Sequence, residues 1–211
     1  MLYCVMRQPQ CMVVNADAPY NTFDEWKAYV EENPGTFRVG VPGASSVHNL
    51  CMMGLKVETG LDYNTISYPK AEEISAALMG GHIEGAVLGF SELKSGIDSG
   101  DFKLIVFTTD NKAEGYEEIA SLAELGYEAT GVSFQGICIK AGTDPDVVAK
   151  MKAAFDKVFA DPEVIEQLKK ANIWYEGTLE GSEAFTQRVI NTYDYYEKVL
   201  TETGLMQELY D

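Results

Sequence analysis

Positive charge is scarce in this chain. Its 211 residues include 16 lysines and arginines against 33 aspartates and glutamates, which gives a formal net charge of −17. The acidic residues are spread along the whole chain, and the few basic ones form no stripe. Nucleic-acid binding needs basic side chains that replace the counterions around phosphates, so this class of function is excluded. A small anionic ligand is not excluded, because it responds to local hydrogen-bond donors more than to net charge.

Motifs for metal binding and redox chemistry are also lacking. The chain has only 2 histidines and 4 cysteines, with no CxxC spacing and no paired His/Cys set. We therefore expect no metal and no cofactor. We expect the thiols to be small buried hydrophobic groups, and the sequence leaves open a disulfide between two of them. These thiols belong to Cys4, Cys11, Cys51 and Cys138.

A catalytic nucleophile with its base is missing as well. Ser46, His48 and Cys51 lie close in sequence, but residues two apart on a helix do not face each other. No acid is placed to orient the imidazole either, so we reject a catalytic triad here and expect no enzyme activity.

Long uncharged apolar runs are absent, so no transmembrane helix is predicted. The N-terminus does not resemble a signal peptide, because Arg7 is its only early charge and no apolar stretch of sufficient length follows. Hydrophobic residues make up 46% of the chain, which is enough for one sizeable domain or two small ones.

The most informative segment that is present is Thr36–His48, with the sequence TFRVGVPGASSVH. Phe37–Val41 has the profile of a strand buried in a parallel sheet, and Pro42 and Gly43 end it. Ser45 or Ser46 can then cap a helix. A turn of this kind leaves backbone N–H groups and hydroxyls free to bind an anion, helped by the helix dipole. The alternative is an ordinary βα turn with no ligand.

Strand and helix patterns alternate around this segment. A capping box predicts a helix that begins after Thr22, and a second helix is predicted over Ala71–Met79. Strands are predicted at Cys11–Val14, Asn64–Tyr68, Ile83–Leu88 and Phe102–Thr108. The short connections favour a parallel sheet flanked by helices.

The pattern loosens after Thr109. We predict a short helix over Ser121–Leu125, a long strand over Ala129–Lys140 and a short strand over Ile173–Tyr175. Asp144-Pro145 and Asp161-Pro162 each place a cap before a proline at the first helical position. A last helix is predicted from Ser182 to Leu200. These helices have apolar faces but few strands to pack on.

The order of several segments resembles the substrate-binding proteins of tripartite tricarboxylate transporters, the TctC/Bug family. The matching segments are Thr22–Glu32 followed by Asn33-Pro34-Gly35, Val39–Gly43 with Ser46 and His48, Tyr68-Pro69, Met79–Glu84, Ser99–Leu104, Leu125–Tyr127, and Lys140–Thr143 before Val147-Val148. The chain departs from the family at Lys70, where glycine is frequent, and at Glu84, where aspartate is frequent. The family also has a further N-terminal region that this chain lacks.

The resemblance implies an α/β, periplasmic-binding-protein-like (type II) fold of two lobes. Residues 1–15 and 132–211 would form an incomplete first lobe, with crossing strands and C-terminal helices. Residues 16–131 would form the complete second lobe. An artificially shortened chain, a misassigned start at Met1, or a true half-receptor that completes its lobe with another chain would each explain the incomplete lobe. The start of the chain in the middle of the pattern favours the first two, and the third predicts a homodimer.

The resemblance also implies a ligand site at the carboxyl ends of strands. Its predicted residues are Gly43, Ala44, Ser45 and Ser46, then Phe90 and Ser91 in a loop that begins at Gly89, and Phe134. The amides of Ala44, Ser45 and Ser46, with the two serine hydroxyls, would bind a ligand carboxylate. The two phenylalanines would form apolar walls or simply pack in the core. His48 either faces this site or makes a structural hydrogen bond, which we favour.

The implied function is that of an extracytoplasmic receptor. It would bind a small carboxylate (a di- or tricarboxylate, an aromatic acid or an acidic amino acid) by hinged closure and deliver it to membrane permease subunits. It would work in the periplasm, or outside the cell in association with the membrane. A sensory module of the same fold, signalling to a membrane partner, is the alternative.

Overall fold

The computed structural model describes residues 1–131, 133–170 and 179–204. Its strands are β1 (Tyr3–Arg7), β2 (Gln10–Asn15), β3 (Arg38–Val41), β4 (Asn64–Ser67), β5 (Gly85–Gly89), β6 (Phe102–Phe107), β7 (Phe134–Ile137) and β8 (Glu180–Gly181). Its helices are α1 (Phe23–Glu32), α2 (Val47–Thr59), α3 (Ala71–Met79), α4 (Phe90–Ser99), α5 (Pro145–Phe159), α6 (Pro162–Lys170) and α7 (Ser182–Glu202). The strand predicted over Ile173–Tyr175 lies outside the described residues.

The chain forms two compact units. The smaller one contains Met1–Gln8 and Phe134–Tyr193, and the larger one contains Pro9–Ser133 and the C-terminal residues from Asp194. The predicted division, with 1–15 and 132–211 on one side, therefore differs at two places. Strand β2 is part of the sheet of the larger unit. The last part of α7, from Asp194, also belongs to the larger unit.

The larger unit is built on a five-stranded sheet with the order β4-β3-β5-β2-β6. Strand β3 is parallel to β4 and β5, whereas β2 is antiparallel to both β5 and β6. The predicted all-parallel sheet is therefore wrong for β2. This strand enters directly from the other unit without a crossover helix, so nothing requires it to run parallel to its neighbours.

Both faces of this sheet are covered, which explains the apolar runs of its strands. Met12 and Val14 of β2 belong to a core with Trp26, and the alternate residues Cys11 and Val13 belong to a second core on the other face. The first core also receives α1 and α2, and the second receives α3 and α4. The sheet is thus the middle layer of three.

Local signals set the beginnings of two helices. Thr22 caps α1 by accepting a hydrogen bond from the Glu25 amide at 3.2 Å, while the Glu25 carboxylate accepts one from the Asn21 amide at 2.7 Å. The capping box therefore closes one residue earlier than the usual pattern. Ser46 caps α2, and Gly60 ends it in the left-handed conformation with φ +69°.

Three predicted elements differ from the structure. The loop predicted at Gly89–Ser91 is the beginning of α4. Residues Ser121–Leu125 form a turn instead of a helix. Among the described residues of the long strand predicted over Ala129–Lys140, only those of β7 are in a strand. The backbone before β7 is bonded elsewhere, because the Gly131 amide donates to the Thr108 carbonyl at 2.6 Å.

The smaller unit has an antiparallel sheet with the order β7-β1-β8. The Tyr3 ring lies 6.0 Å from that of Phe155 and 5.6 Å from that of Phe159, which attaches α5 to one face. Phe134 packs against Phe185 of α7 with 5.3 Å between ring centroids. No helix among the residues described here is both long and apolar enough to cross a membrane.

Candidate functional site

The candidate site lies where several strands of the larger sheet end, which we call the carboxyl edge of the sheet. The parallel strands β3 and β5 end there, and so does β6, while the antiparallel β2 begins there. The register places Gln10 opposite Gly89 and Cys11 opposite Phe107. Ligands of open α/β sheets bind outside the carboxyl ends of the strands, so this is the edge at which a site is expected.

The turn between β3 and α2 is held by its own hydrogen bonds. The Gly43 amide donates to the Val41 carbonyl at 3.0 Å, and the Ser46 amide donates to the Gly43 carbonyl at 3.3 Å. From the helix, the Asn49 side-chain amide donates to the Ala44 carbonyl at 2.6 Å. Gly43 has φ +96°, a conformation that strains any residue with a Cβ atom. The turn is therefore preorganised before any ligand arrives.

Two of the three predicted amide donors remain available. The N–H groups of Ala44 and Ser45 donate to no acceptor among the described residues, and both residues are exposed. The Ser45 hydroxyl also makes no hydrogen bond within that part of the chain. Ser46 differs, because its amide bonds to Gly43 and its hydroxyl accepts from the Asn49 amide at 3.2 Å. The prediction that the Ser46 amide is free for a ligand is therefore wrong.

The imidazole of His48 lies in the first turn of α2. Both of its ring nitrogens are buried and have no hydrogen-bond partner among the residues described, so the structural hydrogen bond that we favoured is absent. Burial lowers the pKa of His48 to about 4. The ring is consequently neutral at pH 7, with one nitrogen able to donate and the other able to accept.

Three buried polar side chains at this edge were missed by the sequence analysis. Gln10, Asn49 and Thr108 are at most 7% exposed, and their side-chain oxygens Oε1, Oδ1 and Oγ1 have no partner within the described ranges. A Cβ atom on Gly131 would lie 2.5 Å from the Gln10 Oε1 atom. Gln10 directly precedes the apolar strand CMVV, and Thr108 directly follows FKLIVF. A polar residue at the end of an apolar strand was the available signal.

Phe90 and Phe134, which were predicted as apolar walls of the site, pack against other aromatic rings. Phe90 is 5% exposed, and its ring packs against Phe107 at 5.8 Å and Tyr116 at 5.0 Å. The structure thus supports the core-packing alternative for Phe90. Ser91 is exposed on the first turn of α4. Phe134 lies in the smaller unit against Phe185.

The thiols are free and mostly buried. Cys4, Cys11 and Cys51 are buried, whereas Cys138 is exposed, so the prediction of four buried thiols is wrong for Cys138. Burial raises the pKa of Cys51 to about 12, so its side chain remains a protonated thiol at neutral pH. Across the described ranges, no cluster of three or more His, Cys, Asp or Glu side chains could hold a metal ion.

The two α/β units, with an antiparallel strand inserted into the larger sheet, define a periplasmic-binding-protein-like fold. The family comparison then identifies the group. Residues 1–204 match the model of the tripartite tricarboxylate transporter family receptor, TctC, and the chain belongs to this family. Its members are solute-binding proteins and not enzymes.

Similar proteins agree with this assignment. A UPF0065 protein of Cupriavidus necator is 28% identical over 194 residues, covering 92% of this chain and 58% of that protein. BugT of Bordetella pertussis is 20% identical over 159 residues, covering 75% of this chain and 49% of BugT. The chain spans about half the length of the curated relatives it matches.

Solved structures show the same fold. A TctC solute-binding protein from Polaromonas superposes with a TM-score of 0.85 and 25% identity, covering 95% of this chain and 68% of that one. The R. palustris protein Rpa4515, solved with adipate, gives a TM-score of 0.70 at 18% identity. The match covers 96% of this chain and 68% of the Rpa4515 chain.

Proposed function

We propose that this chain is the ligand-binding part of an extracytoplasmic receptor for a small carboxylate, which it delivers to a tripartite tricarboxylate transporter. The observation that carries the proposal is the turn at the N-terminus of α2. It offers the free amides of Ala44 and Ser45 and the Ser45 hydroxyl at the carboxyl edge of the sheet. Donors of this kind at a helix N-terminus favour an anion.

The charge of the chain supports recognition by neutral donors. With a net charge of −17, the long-range field of the chain repels an anion, so affinity depends on short contacts. A hydrogen bond to a charged group contributes about 1.5–3 kcal/mol. Two amides and one hydroxyl together contribute about 4.5–9 kcal/mol, whereas a dissociation constant of 1 μM corresponds to about 8 kcal/mol, so micromolar binding also draws on further contacts made on closure.

The bound molecules of similar proteins support the ligand class. Rpa4515 was solved with adipate, and MatC of Rhodopseudomonas palustris was solved with malate at a TM-score of 0.60 and 15% identity. Both molecules are dicarboxylates. We extend the proposal to a dicarboxylate whose first carboxylate lies against the α2 turn, with neutral His48 and the buried oxygens of Gln10 and Thr108 on the same edge.

The proposal also covers partners and place of action. The receptor works in the periplasm or on the outer face of the membrane, and its partners are the permease subunits of the transporter. No covalent chemistry is needed, because the ligand only has to bind one conformation more tightly than another. The homodimer predicted from the poorly covered helices stays a prediction.

A thermal-shift screen tests the proposal. The purified chain is heated with malate, adipate, citrate, benzoate or glutamate. A ligand at about a hundred times its dissociation constant stabilises the folded form by about 2.7 kcal/mol, or about 5–10 °C for a chain of this size. The Ser45→Ala variant should lose most of this shift. Ser67→Ala, which alters an exposed serine on β4, should keep it. If no acid shifts the transition, the proposed carboxylate site is wrong.

A further inference from the structure

The two lateral edges of the larger sheet, β6 and β4, differ in how they are covered. Beside β6 lies a further segment of chain: the Phe107 amide donates to the Ala120 carbonyl at 2.9 Å, and the Leu122 amide donates to the Phe107 carbonyl at 2.8 Å. Strand β4 pairs only with β3 in the part of the chain that the structure describes. An uncovered edge of this kind presents backbone N–H and C=O groups to another strand.

The hydrogen bonds of β4 show which of its backbone groups face outward. The amides of Asn64 and Tyr68 donate to carbonyls of the β3 segment at 2.9 and 3.0 Å. The backbone groups of alternate residues along a strand point to opposite sides, so those of Thr65 and Ser67 face away from β3. Each of these two residues therefore offers one amide and one carbonyl at the open edge.

The open edge of β4 is complementary to itself. Ile66, between Thr65 and Ser67, is 36% exposed. Asp62 and Lys70 lie four residues before and four residues after it, and both are exposed. Two β4 strands that run antiparallel with Ile66 on a two-fold axis therefore place Asp62 of each copy opposite Lys70 of the other. The same register places Thr65 opposite Ser67, so that both residues exchange hydrogen bonds with the second copy.

Moving the axis from Ile66 to Ser67 removes this match. Thr65 then faces Pro69, which has no amide hydrogen to donate. Asp62 then faces Glu72 of the other copy, and these side chains carry like charges. This register is disfavoured by both the hydrogen bonding and the electrostatics.

Moving the axis to Thr65 is also unfavourable. Ser67 then faces Tyr63, whose carbonyl already accepts a hydrogen bond from the Lys56 ammonium at 2.9 Å. Lys70 then faces an uncharged residue, although its ammonium makes no ion pair within the described ranges and is free to accept a new partner. The register centred on Ile66 is therefore the one that uses the hydrogen-bonding groups and the charges together.

We propose that the β4 edge is an interface between two copies of this chain, paired antiparallel and centred on Ile66. The two larger sheets then form one continuous sheet. A strand from another protein would need a basic residue opposite Asp62 and an acidic one opposite Lys70, and β4 itself supplies both. The proposal does not depend on the carboxylate site.

The affinity of this interface is expected to be low. Few backbone groups take part, and the net charge of −17 on each copy opposes association. Small interfaces of this kind form transient complexes, so we expect a dissociation constant of about 100 μM. The receptor is then monomeric when dilute and dimeric when concentrated.

Sedimentation equilibrium over a concentration range of about 5–500 μM tests the proposal. Ile66→Lys places two like charges on the two-fold axis and should raise the dissociation constant at least about tenfold. Leu125→Lys is the matched control, because Leu125 is 37% exposed and follows the segment that covers the opposite edge. Both variants change the net charge equally, so Leu125→Lys should dimerise as the unchanged chain does.

A charge exchange tests the register. Asp62→Lys makes each copy less acidic, yet it should raise the dissociation constant about tenfold, because the new lysine faces Lys70. Lys70→Glu should also weaken the dimer, because the new glutamate faces Asp62. An equimolar mixture of the two variants restores opposite charges at both ends of the interface. We expect the mixture to dimerise within about threefold of the unchanged chain.

Amide exchange followed by NMR locates the interface. At high concentration, the amides of Thr65 and Ser67 should exchange more slowly than in the dilute chain. A chain that stays monomeric over the whole range would overturn the proposal. So would a dimer that Ile66→Lys weakens no more than Leu125→Lys does, a mixture that dimerises no better than its two components, or protection that appears in another element in place of β4.

Discussion

Replacement by alanine should affect different properties at the two adjacent serines of the α2 turn. Ser46 caps the helix, because its hydroxyl accepts a hydrogen bond from the Asn49 amide at 3.2 Å. The hydroxyl of Ser45 makes no hydrogen bond among the described residues and is exposed. We therefore expect Ser46→Ala to lower stability and Ser45→Ala to lower ligand affinity.

The magnitudes follow from these contacts. Loss of an N-cap serine costs about 1 kcal/mol, which lowers the transition temperature of a chain of this size by about 2–4 °C. Ser45→Ala should change stability by less than about 0.5 kcal/mol, because the side chain supports nothing in the fold. Removing one hydrogen bond to a carboxylate costs about 1.5–3 kcal/mol, which raises the dissociation constant about ten- to hundredfold.

Thermal unfolding without ligand, followed by calorimetric titration with the best acid of the screen, measures both effects. Ser46→Thr serves as the control, because threonine also caps helices and should restore most of the stability. The reasoning is refuted if Ser45→Ala destabilises the free chain more than Ser46→Ala does. It is equally refuted if Ser45→Ala leaves the affinity of a bound acid unchanged.

Three further predictions concern stability. Trp26 is fully buried against Phe37, so Trp26→Ala should cost about 3–5 kcal/mol in chemical denaturation, and a cost below about 1 kcal/mol would contradict the described core. A Cβ atom on Gly54 would meet the Tyr195 hydroxyl, so Gly54→Ala should cost about 1–3 kcal/mol by overpacking. That cost should largely disappear in a Tyr195→Ala background, and a purely additive cycle would argue against this contact. The folded His48 ring protonates near pH 4 and the unfolded one near pH 6.5. Stability should therefore fall by about 3 kcal/mol as the pH drops from 6.5 to 4, and a His48→Gln variant with the same pH profile would contradict this.

Features that depend on neighbouring residues were correctly predicted from the sequence. The helix over Ala71–Met79 has the predicted bounds, and Asp144 caps α5 at the predicted proline. Ser46, one of the two predicted caps, begins α2. Capping, proline placement and helical periodicity act over a few residues, so the segment itself contains the information. The order of such segments also sufficed for the family resemblance, which the family match confirms.

Long-range arrangement was decided only by the tertiary structure. All but the last residue of β2 are buried, so its pattern does not say which strands flank it or in which direction it runs. Whether Phe90 faces a ligand or the core likewise depends on Phe107 and Tyr116, which come later in the chain. The sequence by itself determined the positions of most helices and strands and the turn between β3 and α2, with Ser46 as the cap of the helix. The tertiary structure decided which strands pair and which polar groups are buried, because both depend on contacts between residues far apart in the chain.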